Sequence, residues 1–170
     1  MNFDLKKLDL DAAASEKCDL LAVLVTEEFK AGKDPLSALA GQAIKQGDFS
    51  AKLGKVLQCY NAPAAVARRV VLLGAGDGSA RAVRQAVLSL SSLLKGPQVK
   101  RMAVVSSVAL SGPAVSALVQ AVAEASYVYT TTKSKAEARA LVRCVVGVFD
   151  VTKVRSEFDE GVALVAGVEF

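Results

Sequence analysis

The sequence predicts an α/β fold, a three-layer α/β/α sandwich on a mixed, mostly parallel sheet. Three observations carry that expectation. The continuous apolar runs Leu20-Leu21-Ala22-Val23-Leu24-Val25 and Met102 to Val105 read as strands covered on both faces. Segments with apolar residues at helical spacing alternate with the strands, as in Val115, Leu118, Val119, Val122 and Ala125. Lys55 to Tyr60 and Arg69 to Leu73 lie close enough to pair as a hairpin across the turn Asn61-Ala62-Pro63.

The elements follow in order. Phe3 to Leu8 alternates apolar and charged residues, as a half-buried edge strand does. Asp34-Pro35 starts a helix, because Asp accepts from free amides and Pro at the first helical position loses no bond. Leu36, Leu39, Ala40, Ala43 and Ile44 continue it, and Gly47 sits where a left-handed residue ends a helix. Gly74-Ala75-Gly76-Asp77-Gly78 separates the hairpin from a helix expected from Ser79 to Leu94. Val83, Ala86, Val87, Leu90 and Leu94 share one face of that helix and Arg81 and Arg84 the other; Gly96-Pro97 stops it. Gly112-Pro113 opens a further helix. Tyr127-Val128-Tyr129 and the polar run Thr130 to Lys135 are expected as strand or loop, Glu137 as the start of a short turn, and Leu141 to Phe149 as the last strand. Ser156 is expected to cap a final helix, with Glu157 and Glu160 in its first turn and Val162, Leu164, Val165 and Val168 beyond. The sequence stops at Phe170 within that apolar pattern, which suggests a helix linking to a further part.

Composition narrows the chemistry. At 170 residues, one domain is expected, and a chain of that size buries about 70% of its extended surface. No apolar run reaches the roughly 18 residues that span a bilayer, and the N-terminus has no signal-peptide core, so a cytoplasmic protein is expected. There is no histidine, which removes Ser-His-Asp and Cys-His catalysis and most zinc sites. Cys18, Cys59 and Cys144 form no CxxC pair and read as unreactive thiols beside apolar residues. The adjacent acids Glu27-Glu28 and Asp159-Glu160 diverge on a strand or helix and read as solvated surface.

Two groups of residues remain as binding candidates. Gly74-x-Gly76-x-x-Ser79 follows a strand and precedes a helix, where a phosphate loop sits, but it lacks the third glycine and any Gly-Lys-Ser/Thr. A tight turn is the expected role. Arg68-Arg69, Lys100-Arg101 and the looser set Lys133, Lys135, Arg139 and Arg143 suit solvated strand ends better than a nucleic-acid surface, which needs interleaved aromatics. Only Tyr127 and Tyr129 are near, and they read as packing. The net charge of +4 permits an anionic partner without requiring one.

With these landmarks the chain resembles the N-terminal domain of the leucyl aminopeptidase (cytosol aminopeptidase) family. The resemblance rests on Gly54-Lys55-Val56-Leu57, on Arg69-Val70-Val71-Leu72-Leu73-Gly74-Ala75-Gly76, on Arg81-Ala82-Val83-Arg84-Gln85-Ala86, and on Ala125-Ser126-Tyr127-Val128-Tyr129 with Lys133-Ser134. Gly161 to Val168 is similar to the family's interdomain helix. The family's Arg-Phe after the first Tyr is Val128-Tyr129 here, and the following Asp is Thr130.

The resemblance implies a macro-domain-like fold for residues 1–170 and a catalytic C-terminal domain outside them. It implies a parent that releases N-terminal amino acids from peptides with two divalent ions, Zn or Mn, and assembles as a homohexamer of two trimers. The family's Asn-Thr-Asp-Ala-Glu-Gly-Arg signature is missing, so no catalytic, cofactor-binding or metal-binding residue is expected in this chain. The expected role is assembly and positioning, the isolated domain being inactive. Two rivals stand beside it: a DNA-binding architectural module, and a macro-type binder of ADP-ribose or nucleotides through the 74–79 loop.

Overall fold

The computed structural model describes residues 1–128 and 138–168. Among them the chain runs β1 (Asn2–Lys7), α1 (Leu10–Ala13), β2 (Leu20–Val25), α2 (Pro35–Lys45), β3 (Val56–Tyr60), β4 (Arg69–Gly74), α3 (Ala80–Leu88), α4 (Ser91–Leu94), β5 (Arg101–Ser106), α5 (Gly112–Ser126), β6 (Arg143–Val148) and α6 (Val151–Val168). One sheet has the order β1-β6-β5-β2-β4-β3. All neighbours are parallel except β3, which pairs antiparallel with β4. This is the mixed, mostly parallel sheet that the alternating pattern predicts.

The apolar run of β2 has its reason in the layers. Side chains alternate across a strand, so Leu20, Ala22 and Leu24 enter one core while Leu21, Val23 and Val25 enter the other. The first core holds α3, α4, α5 and α6; the second holds α1 and α2. Burying each such Leu or Val side chain contributes about 1.5–3 kcal/mol. In the first layer α6 crosses close to α5 at Gly161, where an added Cβ would lie 3.2 Å from the Ser116 backbone.

Local signals place several helices as expected. Asp34 Oδ2 accepts from the Ser37 amide at the start of α2, with Pro35 in its first turn, and Gly47 follows the end at φ 82°. Ser111 caps α5 in the same way.

Three expectations are corrected. The helix expected over 79–94 breaks in two, because the Ser89 and Ser91 hydroxyls donate to the Ala86 and Leu88 carbonyls and draw the chain out of helical register. Leu90 and Leu94 stay buried through the break, which is why the apolar period hides it. The last helix begins at Val151, not at Ser156. Asp150 Oδ1 accepts from the Thr152 amide and hydroxyl at 3.0 and 2.7 Å, and Ser156 is an exposed interior residue. Tyr127 takes the loop alternative of its expectation: it follows α5 in extended backbone, its amide donating to the Glu124 carbonyl. The last strand is shorter than expected, since Leu141 and Val142 precede β6 and Phe149 follows it. The calls on Tyr129, Thr130 to Lys135, Glu137 and Phe170 lie outside the described residues.

Candidate functional site

The 74–79 loop leaves β4 at the carboxyl end of the parallel strands, where α/β sheets commonly bind ligands. The amides of Gly74, Ala75, Gly76, Gly78 and Ser79 are already bonded within the chain. Gly74 N–H donates to the Lys55 carbonyl, Ala75 to Val25, Gly76 to Ala51 and Gly78 to Ala75, at 2.8–3.0 Å. Ser79 N–H donates to Asp77 Oδ1 at 3.0 Å, and Ser79 Oγ accepts from Ala82. A phosphate needs such amides open and a helix start free of negative charge. Here the Ser79 backbone amide holds the Asp77 carboxyl below its ordinary range, so the charge at this turn is negative. The glycines serve close packing instead. A Cβ on Gly74 would sit 2.0 Å from the Lys52 carbonyl oxygen, and Gly76 and Gly78 have φ of 55° and 73°. The loop is a tight turn clamping the 50–55 segment against the sheet.

The thiols are poor nucleophiles. Burial pushes Cys18 up to about 12, with Glu16 adding to the effect, and burial raises the wholly buried Cys144 further. Cys59 is raised by burial too. Raised values keep each thiol protonated at neutral pH. Glu27, Glu28, Asp159 and Glu160 are all exposed. Among the described residues no three His, Cys, Asp or Glu side chains stand together as a metal site would require.

Of the looser basic set, Arg139 and Arg143 serve separate partners. Arg139 donates to the Ser126 and Ala123 carbonyls, a cation at the C-terminal end of α5. Arg143 pairs with Asp4 at 2.6 Å across β6 and β1. Lys133 and Lys135 lie outside the described residues. Lys100 and Arg101 present their backbone amides to Asp19 Oδ2 at 3.0 Å, and their side chains are exposed.

Two surface features were not read from the sequence. A cavity of about 790 Å³ lies between α5 and α6, lined by Arg84, Glu124, Tyr127, Arg139, Leu164 and Val168. Arg84 and Glu124 form an ion pair in its wall. Leu164 and Val168 are exposed. The second feature is the open edge of β3 in the expected β3–β4 hairpin. Among the described residues β3 is the last strand on its side of the sheet. Its residues Val56, Gln58 and Tyr60 are exposed, while Leu57 and Cys59 pack against the core beneath α2. The Arg69 guanidinium stacks 4.9 Å from the Tyr60 ring centroid.

The comparisons agree with this fold. The family model described as the cytosol aminopeptidase family, N-terminal domain, matches residues 12–136. A probable cytosol aminopeptidase of Verminephrobacter eiseniae is 64% identical over the whole chain, which spans 33% of that relative. One from Acidovorax ebreus is 53% identical, and the chain spans 34% of it. The chain therefore covers about a third of the length of these curated relatives. A tomato leucine aminopeptidase variant superposes with a TM-score of 0.74 at 20% identity, over 99% of this chain and 36% of its own. The bottromycin maturation enzyme BotP gives a TM-score of 0.60 at 18% identity, over 88% of this chain and 30% of its own. With a family model matching most of its length and close relatives along all of it, the chain belongs to the cytosol aminopeptidase family and corresponds to its N-terminal domain.

Proposed function

We propose that residues 1–170 form the non-catalytic assembly and positioning domain of a cytoplasmic leucyl aminopeptidase. The parent would release N-terminal amino acids from peptides with the help of two divalent ions, zinc or manganese. The observation that carries this reading is the match of the whole chain to about a third of each relative, combined with a chemistry that does not fit the ions. Among the described residues there is no cluster of metal-ligating side chains, and the chain has no histidine. The metal-dependent step is accordingly assigned to the remainder of the parent, and no step is assigned to this domain. Its fold is of the macro-domain kind, and its place is in a homohexamer of two trimers, where it helps hold the trimers together. No helix of the described residues is long and apolar enough to cross a membrane.

Two measurements test the proposal. With leucyl p-nitroanilide and Mn²⁺, the 170-residue chain is expected to give no turnover and the full-length protein to turn over. Turnover by the pure chain would overturn the inactivity. Light scattering on the full-length protein lacking this domain is expected to find species smaller than a hexamer. An intact hexamer would remove the assembly role.

A further inference from the structure

We propose that the open edge of β3 accepts an acidic, extended segment of a different protein as an added strand. Backbone geometry comes first. Gly74 N–H donates to the Lys55 carbonyl, and Asn61 N–H to that of Arg68, each at 2.8 Å. In the antiparallel register Val56↔Leu73 to Tyr60↔Arg69, these bonds turn the odd-numbered residues of β3 toward β4. The N–H and C=O groups of Val56, Gln58 and Tyr60 therefore point away from the sheet. An extended chain offers donors and acceptors at the matching repeat. A nucleic-acid backbone offers acceptors to the amides but no row of donors for the carbonyls, so a polypeptide is favoured.

The side chains say that this edge is not protected against pairing. Natural edges carry charges, prolines or bulges that discourage an incoming strand. The β3 sequence Val-Leu-Gln-Cys-Tyr has no charge and no proline. Val56 and Tyr60 are 39% and 62% exposed on the same face, an apolar pair that an added strand would cover.

Charge identifies the occupant. Residues 50–69 contain Lys52, Lys55, Arg68 and Arg69 and no acidic residue, so this segment carries the whole net charge of +4. Elsewhere basic and acidic side chains balance. None of the four basic residues forms an ion pair among the described residues. Two copies paired antiparallel about Gln58 would satisfy the backbone but bring two such basic frames together. An acidic strand satisfies the backbone and the charge at once.

The test uses the 170-residue chain and two fluorescein-labelled peptides, Glu-Val-Glu-Val-Glu-Val-Glu and its Lys-for-Glu counterpart, read by anisotropy at low salt. The acidic peptide is expected to bind and the basic one not. Gln58→Pro removes an outward N–H that makes no bond within the fold, and an edge strand tolerates it. It is expected to weaken binding by roughly tenfold. The double change Lys55→Glu with Arg68→Glu, confined to exposed side chains, is expected to abolish binding and serves even if the proline variant does not fold. The proposal fails if the acidic peptide does not bind or if both peptides bind equally. It also fails if the charge-reversed variant binds as well as the wild type, or if a single-stranded oligonucleotide binds in place of the peptide. Sedimentation showing a dimer that is lost in Gln58→Pro would likewise overturn it, in favour of a second copy.

Discussion

The two edges of the sheet are treated in opposite ways. β1 carries Asp4, Lys6 and Lys7 within the strand, and ties two of them down, Asp4 to Arg143 and Lys6 to Glu16 at 2.8 Å. β3 has no charge in the strand and sets around it four cations that form no ion pair among the described residues. Charge inside an edge repels any strand, whereas charge beside an edge selects one sign of strand. The same residue types thus close one side of the sheet and tune the other.

The comparison breaks most severely at Gly74. Gly74→Val puts side-chain atoms where the Lys52 carbonyl lies, 2.0 Å from the would-be Cβ. The 50–55 segment must then leave the sheet, and a stability loss of at least about 1–3 kcal/mol is expected in urea denaturation. A smaller and more selective effect distinguishes the two sides of β3 itself. Cys59→Pro deletes an inward N–H opposite Val70 and strands a buried carbonyl, at about 1–3 kcal/mol. Gln58→Pro, one residue away, is expected to cost clearly less; equal losses in the two melts would refute the assigned phase of the hairpin.

At the other edge, Asp4→Asn breaks the exposed pair with Arg143 and is expected to cost only about 0.2–1 kcal/mol. That cost should shrink in high salt. The mildest change concerns α6, which packs beside β1. Its bond to the Thr152 side chain holds the Asp150 carboxyl below the ordinary range. A depressed value stabilises the fold above the unfolded carboxyl value of about 3.9 and stops doing so as pH falls through the folded one. Asp150→Asn should therefore melt slightly below wild type at neutral pH, and the gap should close in acid. A gap that widened in acid would reverse the sign.

Much of the fold was legible because burial writes itself into apolar runs. β2 and β5 needed no context, and Asp34-Pro35 marked α2 to the residue. The misreadings share a cause: a local competitor under an unchanged apolar pattern. Ser89 and Ser91 break a helix whose period Leu90 and Leu94 keep intact. Val151, Thr152 and Val154 are β-branched, so the true start of α6 looks like more strand. The cap at Asp150 was hidden by that run, and Ser156 drew the assignment to itself. The role of the glycine loop as a turn was readable from its departures from phosphate-loop spacing. What it clamps was not, because the 50–55 segment has no regular pattern. The open edge of β3 was also invisible: a strand's composition does not say on which side its neighbour lies.

The pairing of Asn2 with Arg143 sets a timetable for folding. Among the described residues, β1 precedes the other strands in the chain yet has β6, which follows them, as its sheet neighbour. At a ribosomal rate of about 5–20 residues per second, β1 waits roughly 7–30 seconds for β6 to be synthesised. During that interval its charges work against pairing with any other strand, as charges in an edge strand do. The middle strands, β2, β4 and β5, are all synthesised before β6 gives β1 its partner.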